Sequence, residues 1–244
     1  MRFAFSTLPA EFLERPNRFL VRARLLASGQ EARVHCPDPG RLRELLVPGV
    51  RVHVSPETGP GRSTTHCLRF VEHPETGILV SLDSNLACRL FREGLEEGFF
   101  PSFRGWLALR AEAASPDCRG RVRTRFDFRL EMDSGRPCWV EVKSATLVEE
   151  GIAAFPDAVT LRGRRHLEEL AARAAAGDRA AVCFVVQRPD AWALRPQWER
   201  DPAFARALVE AARAGVELHA CTARLTLQEA RLDRLVPVLT SCVP

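Results

Sequence analysis

Three residues near the middle of the chain have the types and the spacing that metal-dependent phosphodiester chemistry needs. Glu141 and Lys143 are two positions apart in CWVEVKSATL, and Asp127 lies in the preceding apolar stretch VRTRFDFRLEM. Side chains two positions apart on a strand point to the same face. A Ser-Gly-Arg-Pro turn separates the stretches, so we expect a hairpin whose polar surface carries all three residues. The apolar face is predicted to contain Phe126, Phe128 and Leu130.

Paired carboxylates followed by an ammonium suit a hard divalent cation. Carboxylate oxygens bind Mg²⁺ or Mn²⁺, and such an ion acidifies an attacking water and neutralises charge on phosphorus. The ammonium of Lys143 can hold the nucleophile or a developing oxyanion. Asp followed by Glu-x-Lys on the next strand is typical of the PD-(D/E)xK nuclease superfamily. The alternative is an exposed ion pair worth roughly 0–1 kcal/mol.

Lys143 is the only lysine among 35 cationic residues, and the other 34 are arginine. Tyr is absent and Asn and Ile are scarce, which indicates a genome whose base composition replaced exposed lysines with arginine. Guanidinium is planar, bulkier and permanently charged, so it cannot replace a compact ammonium everywhere. A retained lysine therefore favours a chemical role, although it is also explained as a leftover of drift.

The composition predicts an ordinary globular protein of one large or two small domains. The 244 residues are 46% hydrophobic and 27% charged, with a net charge of only +4. No run is long enough to cross a membrane and no leader is evident, so we expect a cytoplasmic protein without membrane partners. Eight cysteines without a C-x-x-C pair argue against a zinc ribbon or redox dithiol. Nothing indicates the oligomeric state.

The hydrophobic pattern changes character near residue 83. Residues 1–82 contain about five short strands and one small helix, which predicts an OB-like β-barrel that binds nucleic acid. Residues 83–244 alternate capped helices with apolar strands, which predicts a mixed-sheet α/β domain of the restriction-nuclease type, α+β overall. The run AAVCFVVQ is typical of a buried central strand.

The first domain has a local excess of positive charge. Residues 15–43 contain seven arginines and two carboxylates, a net charge of +5. Such a surface would bind the DNA backbone without sequence specificity, and RNA is not excluded. An ordinary solvated face is the alternative. Phe19 is predicted to point inward, so base stacking is not expected. The candidate contacts are Arg15, Asn17, Arg18, Arg22, Arg24 and Arg41.

Six blocks in order resemble the sugar fermentation stimulation protein A family. They are RPNRFLVRARL, HCPDPGRLRELLVPG, TRFDFRLE, VEVKSATL, FPDAVTLRGRRHLEEL and DPAFARALVEAARAGVELHA. The resemblance implies a DNA-binding protein with an OB-like and a nuclease-like domain, and an effect on sugar (maltose) metabolism. It also implies a site of Glu112, Asp127, Glu141 and Lys143, with Glu112 on a helix. One departure is Asp38-Pro39-Gly40, where the family pattern is Asn-Thr-Gly.

Three further residues are candidates for contacts to substrate or to the carboxylates. Arg162 and His166 are one turn apart on a predicted helix, and Gln187 ends the buried strand. A solvated helix face is the alternative. The sequence thus predicts a Mg²⁺-dependent phosphodiesterase that binds DNA. A non-catalytic DNA-binding regulator, or an enzyme acting on RNA or small phosphoesters, remains open.

Overall fold

The computed structural model describes residues 1–57, 59, 61, 63–116 and 121–241, without the side chains of residues 122 and 123. Cys118, Cys242 and the side chain of Arg123 lie outside the described residues. The other six cysteines are free thiols, and five of them are buried. Within the described ranges, no helix combines the length and the apolar content that crossing a membrane requires.

Strands β1–β5 form a closed barrel, which confirms the predicted first fold. The strands are β1 Leu8–Asn17, β2 Leu20–Leu25, β3 Glu31–His35, β4 Arg51–Pro56, β5 His66–Glu72 and β6 Leu79–Ser81. Their order is β3-β2-β1-β4-β5-β6, and a parallel pairing of β3 with β5 closes the barrel. Alternate side chains such as Val21, Ala23, Val52 and Val54 fill its core.

Two expectations about the barrel are wrong. Phe19 is 50% exposed, because Asn17 pairs with Leu20 and leaves Arg18 and Phe19 in the turn between β1 and β2. The segment RLRELL forms a single turn and no helix. Its first leucine, Leu42, has a φ of 53°, which a right-handed helix does not allow.

The second domain is a six-stranded mixed sheet with helices on both faces, as predicted. Its helices are α1 Asn85–Glu96, α2 Leu161–Ala175 and α3 Pro202–Arg213, with a 3₁₀ turn at Pro101–Phe103. Its strands are β7 Trp106–Pro116, β8 Val122–Met132, β9 Cys138–Ala145, β10 Val148–Glu149, β11 Ile152–Phe155, β12 Arg179–Val186, β13 Ala193–Pro196, β14 Glu217–Leu225 and β15 Ala230–Val236. The large sheet has the order β15-β14-β12-β9-β8-β7, and β10, β11 and β13 form a small second sheet.

Two apolar layers enclose the centre of the large sheet. Helix α1 packs against the face that carries Val140 and Val142, and α2 and α3 cover the face with Val182 and Phe184. Strand β12 lies between β9 and β14, parallel to both, which explains its almost continuous burial. Thr160 and Asp201 are the N-caps of α2 and α3. Each side chain accepts a main-chain N–H of its own first turn.

Two further sequence expectations fail in this domain. The segment LALRAEAAS, predicted as a helix, lies within β7, where antiparallel pairing with β8 along most of both strands overrides local helix propensity. The sequence segment PDAVTLRGRRHLEEL predicts one helix with Val159 on its inward face, but Val159 is 62% exposed because it precedes the first residue of α2.

The two domains touch through polar contacts. Asp157 Oδ2 accepts the main-chain N–H groups of Arg41, at 2.7 Å, and Leu42, at 3.3 Å. Glu44 forms an ion pair with Arg200. The loop that precedes α2 is therefore fixed against the barrel.

Candidate functional site

The β8–β9 hairpin brings Asp127, Glu141 and Lys143 together. Lys143 Nζ donates a hydrogen bond to Glu141 Oε1. Asp127 Oδ2 accepts the main-chain N–H of Val142 at 2.7 Å. The site therefore combines two neighbouring carboxylates and one ammonium at the centre of the sheet.

The alternation of β8 breaks at Asp127, which the sequence pattern did not predict. Phe128 packs with Phe91 under α1, whereas Phe126 packs on the opposite face against Trp139, with ring centroids 5.8 Å apart. The placement of both phenylalanines on one face was wrong. The described β8–β9 pairing ends at Phe128, and beyond it the Asp127 carboxylate accepts an N–H that a main-chain carbonyl would otherwise take. Irregularities of this kind are common beside functional sites because they redirect a side chain.

The two carboxyl groups have opposite electrostatic environments. Burial, followed by the charge of Glu141, raises the pKa of Asp127 to about 6. Burial alone would also raise the pKa of Glu141, but Lys143 and His166 bring it below its ordinary value. Glu141 Oε2 is buried and has no hydrogen-bond partner within the described part of the chain. A buried carboxylate oxygen without a partner among the described residues, next to a second carboxylate whose pKa is raised, is suited to binding a divalent cation.

His166 holds Glu141 from the far side. It is buried on α2, and its Nδ1 is hydrogen-bonded to Glu141 Oε1. Arg162 Nε approaches His166 Nε2 at 3.4 Å. An N–H aimed at Nε2 requires a lone pair there, so this pattern places the imidazole proton on Nδ1 as the donor to Glu141. Both residues thus act on the carboxylate, with Arg162 behind His166.

Gln187 and Glu112 lie at the margins of the site. Gln187 is fully buried after β12, and its Nε2 donates to Ser144 Oγ at 3.2 Å, next to Lys143. Glu112 is exposed on β7, where the pairs on either side of it place it level with Asp127. Its charge contributes to the raised pKa of Asp127. The structure thus brings Glu112 to the site from a strand instead of a helix.

Cys88 is a neighbour of the carboxylates that sequence reasoning missed. It lies on α1, and its thiol interacts with Asp127. Burial, then the charges of Asp127 and Glu141, raise the pKa of this thiol to about 12. A thiol in this state acts as a weak donor to a carboxylate. No local signal marks it, because only the packing of α1 on β9 brings it there.

The candidate barrel residues fall into two groups, residues that stabilise the turn and the loop and exposed cations. The Arg15 guanidinium donates to four main-chain carbonyls, and Asn17 Oδ1 accepts the N–H of Phe19 at 2.9 Å. Both residues are therefore engaged in shaping the turn and the loop. Arg18 and Arg41 are exposed and have no ion-pair partner among the described residues.

The outer face of β2 is mixed in charge, although its arginines predicted a basic surface. Arg22 pairs with Glu14 and Glu31, and Arg24 lies 3.8 Å from both Glu11 and Glu31. The segment 15–43 includes the arginines of β2 but excludes Glu11 and Glu14, which β1 places beside them. The unpaired positive charge therefore lies at the end of the hairpin, at Arg18.

Comparison with known proteins covers nearly the whole chain. Residues 13–82 match the SfsA N-terminal OB domain, and residues 85–229 match the sugar fermentation stimulation protein RE domain. Sugar fermentation stimulation protein homologs from Moorella thermoacetica and Symbiobacterium thermophilum are 41% and 42% identical, with at least 94% of each chain covered. A solved structure of Pyrococcus furiosus SfsA in complex with Ca²⁺ is 30% identical, covers 98% of both chains and has a TM-score of 0.84. The chain therefore belongs to the sugar fermentation stimulation protein family.

Proposed function

We propose that this protein binds nucleic acid without sequence specificity and hydrolyses its phosphodiester bonds with Mg²⁺ or Mn²⁺. The observation that carries the proposal is the buried Glu141 Oε2, which lies beside Asp127 and has no hydrogen-bond partner among the described residues. Two carboxylates held this close repel each other, and a divalent cation removes that repulsion. The Ca²⁺ in the Pyrococcus furiosus relative supports this reading, because Ca²⁺ is also a hard cation that takes oxygen ligands.

In this mechanism Asp127 and Glu141 hold the cation, and Glu112 extends the acidic site from β7. A bound divalent ion supplies Lewis acidity toward the attacking water and the phosphate. Lys143 donates one N–H to Glu141 and retains two further donors for the nucleophile or a non-bridging oxygen. Its side chain is 14% exposed, so these donors act in a partly dehydrated setting where charge stabilisation is stronger.

Buried polar support fixes the geometry of this group. His166 restrains Glu141 Oε1, and the N–H of Val142 restrains Asp127. Catalytic side chains need supports of this kind to remain within roughly 0.5 Å of their working positions. His166 is accordingly assigned a positioning role.

The second candidate is a DNA-binding regulator that retains the nuclease fold without activity. It is favoured by the two hydrogen bonds that Glu141 Oε1 accepts, one from Lys143 and one from His166. A polar network of this kind can serve stability alone. Under this alternative the protein binds DNA and never cleaves it.

One experiment separates the candidates. The purified protein is incubated with labelled DNA, RNA and a small phosphodiester, with Mg²⁺, Mn²⁺ or a chelator. We expect metal-dependent cleavage by the wild type and none by Asp127→Asn. Binding in chelator without cleavage in any metal would establish the regulator instead. Cleavage confined to RNA or to the small diester would reassign the substrate.

A further inference from the structure

We propose that nucleic acid reaches the carboxylates as a single strand, along a track of apolar and cationic side chains that crosses from the barrel to α2. This inference rests on the proposed function and names its substrate class. The track, called here the strand track, is formed by Arg18, Phe19, Arg41, Val159, Leu161 and Arg162. All six residues are exposed to solvent.

The barrel end of the strand track is locked by one guanidinium. Arg15 donates to the carbonyl of Arg18 at 2.7 Å, and to those of Gly40 and Arg41 at 2.7 and 2.8 Å. The turn that presents Phe19 and the loop that presents Arg41 are therefore bound to the same group. The backbone segments that carry Arg18, Phe19 and Arg41 are therefore held next to each other.

The strand track then passes from the barrel to the second domain. Asp157 Oδ2 accepts the N–H of Arg41, and a Cβ on Gly40 would lie only 2.5 Å from the same oxygen. The barrel loop and the segment before α2 thus meet where the main chain of the loop contacts the carboxylate of Asp157. Val159 follows Asp157 by two residues, so the surface continues directly onto this segment.

Apolar side chains are held outward where α2 begins. Val159 is 62% exposed and Leu161 is 59% exposed. Thr160, between them, is fixed at both ends, because its side chain accepts the N–H of Gly163 at 3.0 Å and its own N–H donates to Asp201 at 2.8 Å. The exposure of both apolar residues therefore follows from the helix cap.

The track ends at Arg162, which is separated from the carboxylate of Glu141 by one side chain, that of His166. Arg162 follows Leu161 and approaches His166, which is bonded to Glu141. Hydrogen bonds and neighbouring residues thus connect the turn at Phe19, the loop at Arg41, the Asp157 segment, the start of α2 and Glu141.

The mixture of side chains selects the partner. Arginines bind phosphates in any nucleic acid, but exposed aromatic and aliphatic groups gain contacts only with bases that are not already stacked within a duplex. Stacking on a side chain is worth roughly 1–3 kcal/mol per base. The alternation of cations with apolar groups therefore favours a single strand over a duplex. A partner protein on the same surface is the competing occupant.

The test measures binding by fluorescence anisotropy in chelator, so that cleavage plays no part. Phe19→Ala should weaken affinity for a single-stranded oligonucleotide by roughly 5- to 100-fold and leave duplex affinity within about twofold. Val159→Ser with Leu161→Ser should act in the same direction. Leu107→Ser is the matched control, because Leu107 is 70% exposed on β7 at the level of the β8–β9 turn, away from Asp127.

Equal losses on duplex and single strand, or no loss in the track variants, would overturn the strand track and point to a protein partner for the apolar residues. Selective loss on the single strand supports it even if the wild type cleaves nothing. Metal-dependent cleavage by variants that have lost no single-strand affinity would retain the proposed function while removing this inference.

Discussion

His166 on α2 and Glu141 on β9 share a buried hydrogen bond between Nδ1 and Oε1. The orientation of the Glu141 carboxylate thus depends on a helix that follows it in the chain. That helix begins just after Asp157, which is bound to the barrel. The position of the barrel and the geometry of the site are therefore mechanically linked.

Lys143→Arg tests whether the lone lysine is retained for chemistry. The substitution keeps the charge, so DNA binding and folding should remain close to those of the wild type. The bulkier guanidinium cannot occupy the space beside Glu141 without displacing it. We expect metal-dependent cleavage to fall by about 10²–10³-fold, measured as single-turnover rates. Full activity in the arginine variant would identify Lys143 as a leftover of drift.

Metal binding should depend on the hairpin carboxylates. Calorimetry or Mn²⁺ paramagnetic broadening should detect an ion in the wild type, and Asp127→Asn or Glu141→Gln should abolish it. Glu131→Gln is the matched control, because Glu131 is an exposed carboxylate on the same strand as Asp127. If all four proteins bind the ion equally, the carboxylates are structural.

The stability of the metal-free protein should depend on pH through the ionisation of Asp127. Its pKa of about 6 in the folded protein is above the ordinary 3.8, so this group favours folding most at about pH 4 and below. That contribution is lost as the pH rises to about 6. Asp127→Asn keeps an acceptor for Val142 without the charge, and should be more stable than the wild type at pH 7.5 by up to about 3 kcal/mol.

Urea denaturation in chelator at pH 4 and pH 7.5 checks this sign. The difference in free energy of unfolding between Asp127→Asn and the wild type should increase with rising pH. Added Mg²⁺ should remove this difference by stabilising only the wild type. A difference that is the same at both pH values would show that Asp127 ionises without penalty.

Salt dependence distinguishes the exposed cations from the paired ones. Arg18→Ala with Arg41→Ala should weaken binding to every sequence and reduce the log–log salt slope by about 0.7–0.9 for each lost phosphate contact. Arg22→Ala with Arg24→Ala should change the slope less, since neighbouring glutamates already neutralise these arginines. Slopes that fall equally in both double variants would place the contact surface on β2.

The sequence predicted what depends on local periodicity. Glu141 and Lys143 share a face because strands repeat every two residues, and the burial of β12 followed from an apolar run. Phe126 could not be placed, because the break at Asp127 arises where β8 and β9 diverge. Glu112 was assigned to a helix through the family resemblance, whereas antiparallel pairing with β8 places it on a strand.

Contacts between residues that are far apart in the chain could not be predicted from local sequence patterns either. Cys88 reaches Asp127 only through the packing of α1, and Asp157 reaches Arg41 only when both domains have formed. Phe19 was placed inward by alternation, although the turn begins one residue before it. Its exposure changes the binding surface from purely cationic to partly aromatic.

The joint between barrel and sheet relies on main-chain donors, with a glycine at the point of closest approach. Side chains at Arg41 and its neighbours can therefore change without altering how the two domains meet. A genome that steadily exchanges one cation for another can rewrite the outer surface of the barrel while the alignment of barrel and carboxylates is preserved. Gly40 and Asp157 lack this freedom, so substitutions at these two positions should disturb the joint more than substitutions of the exposed arginines around them.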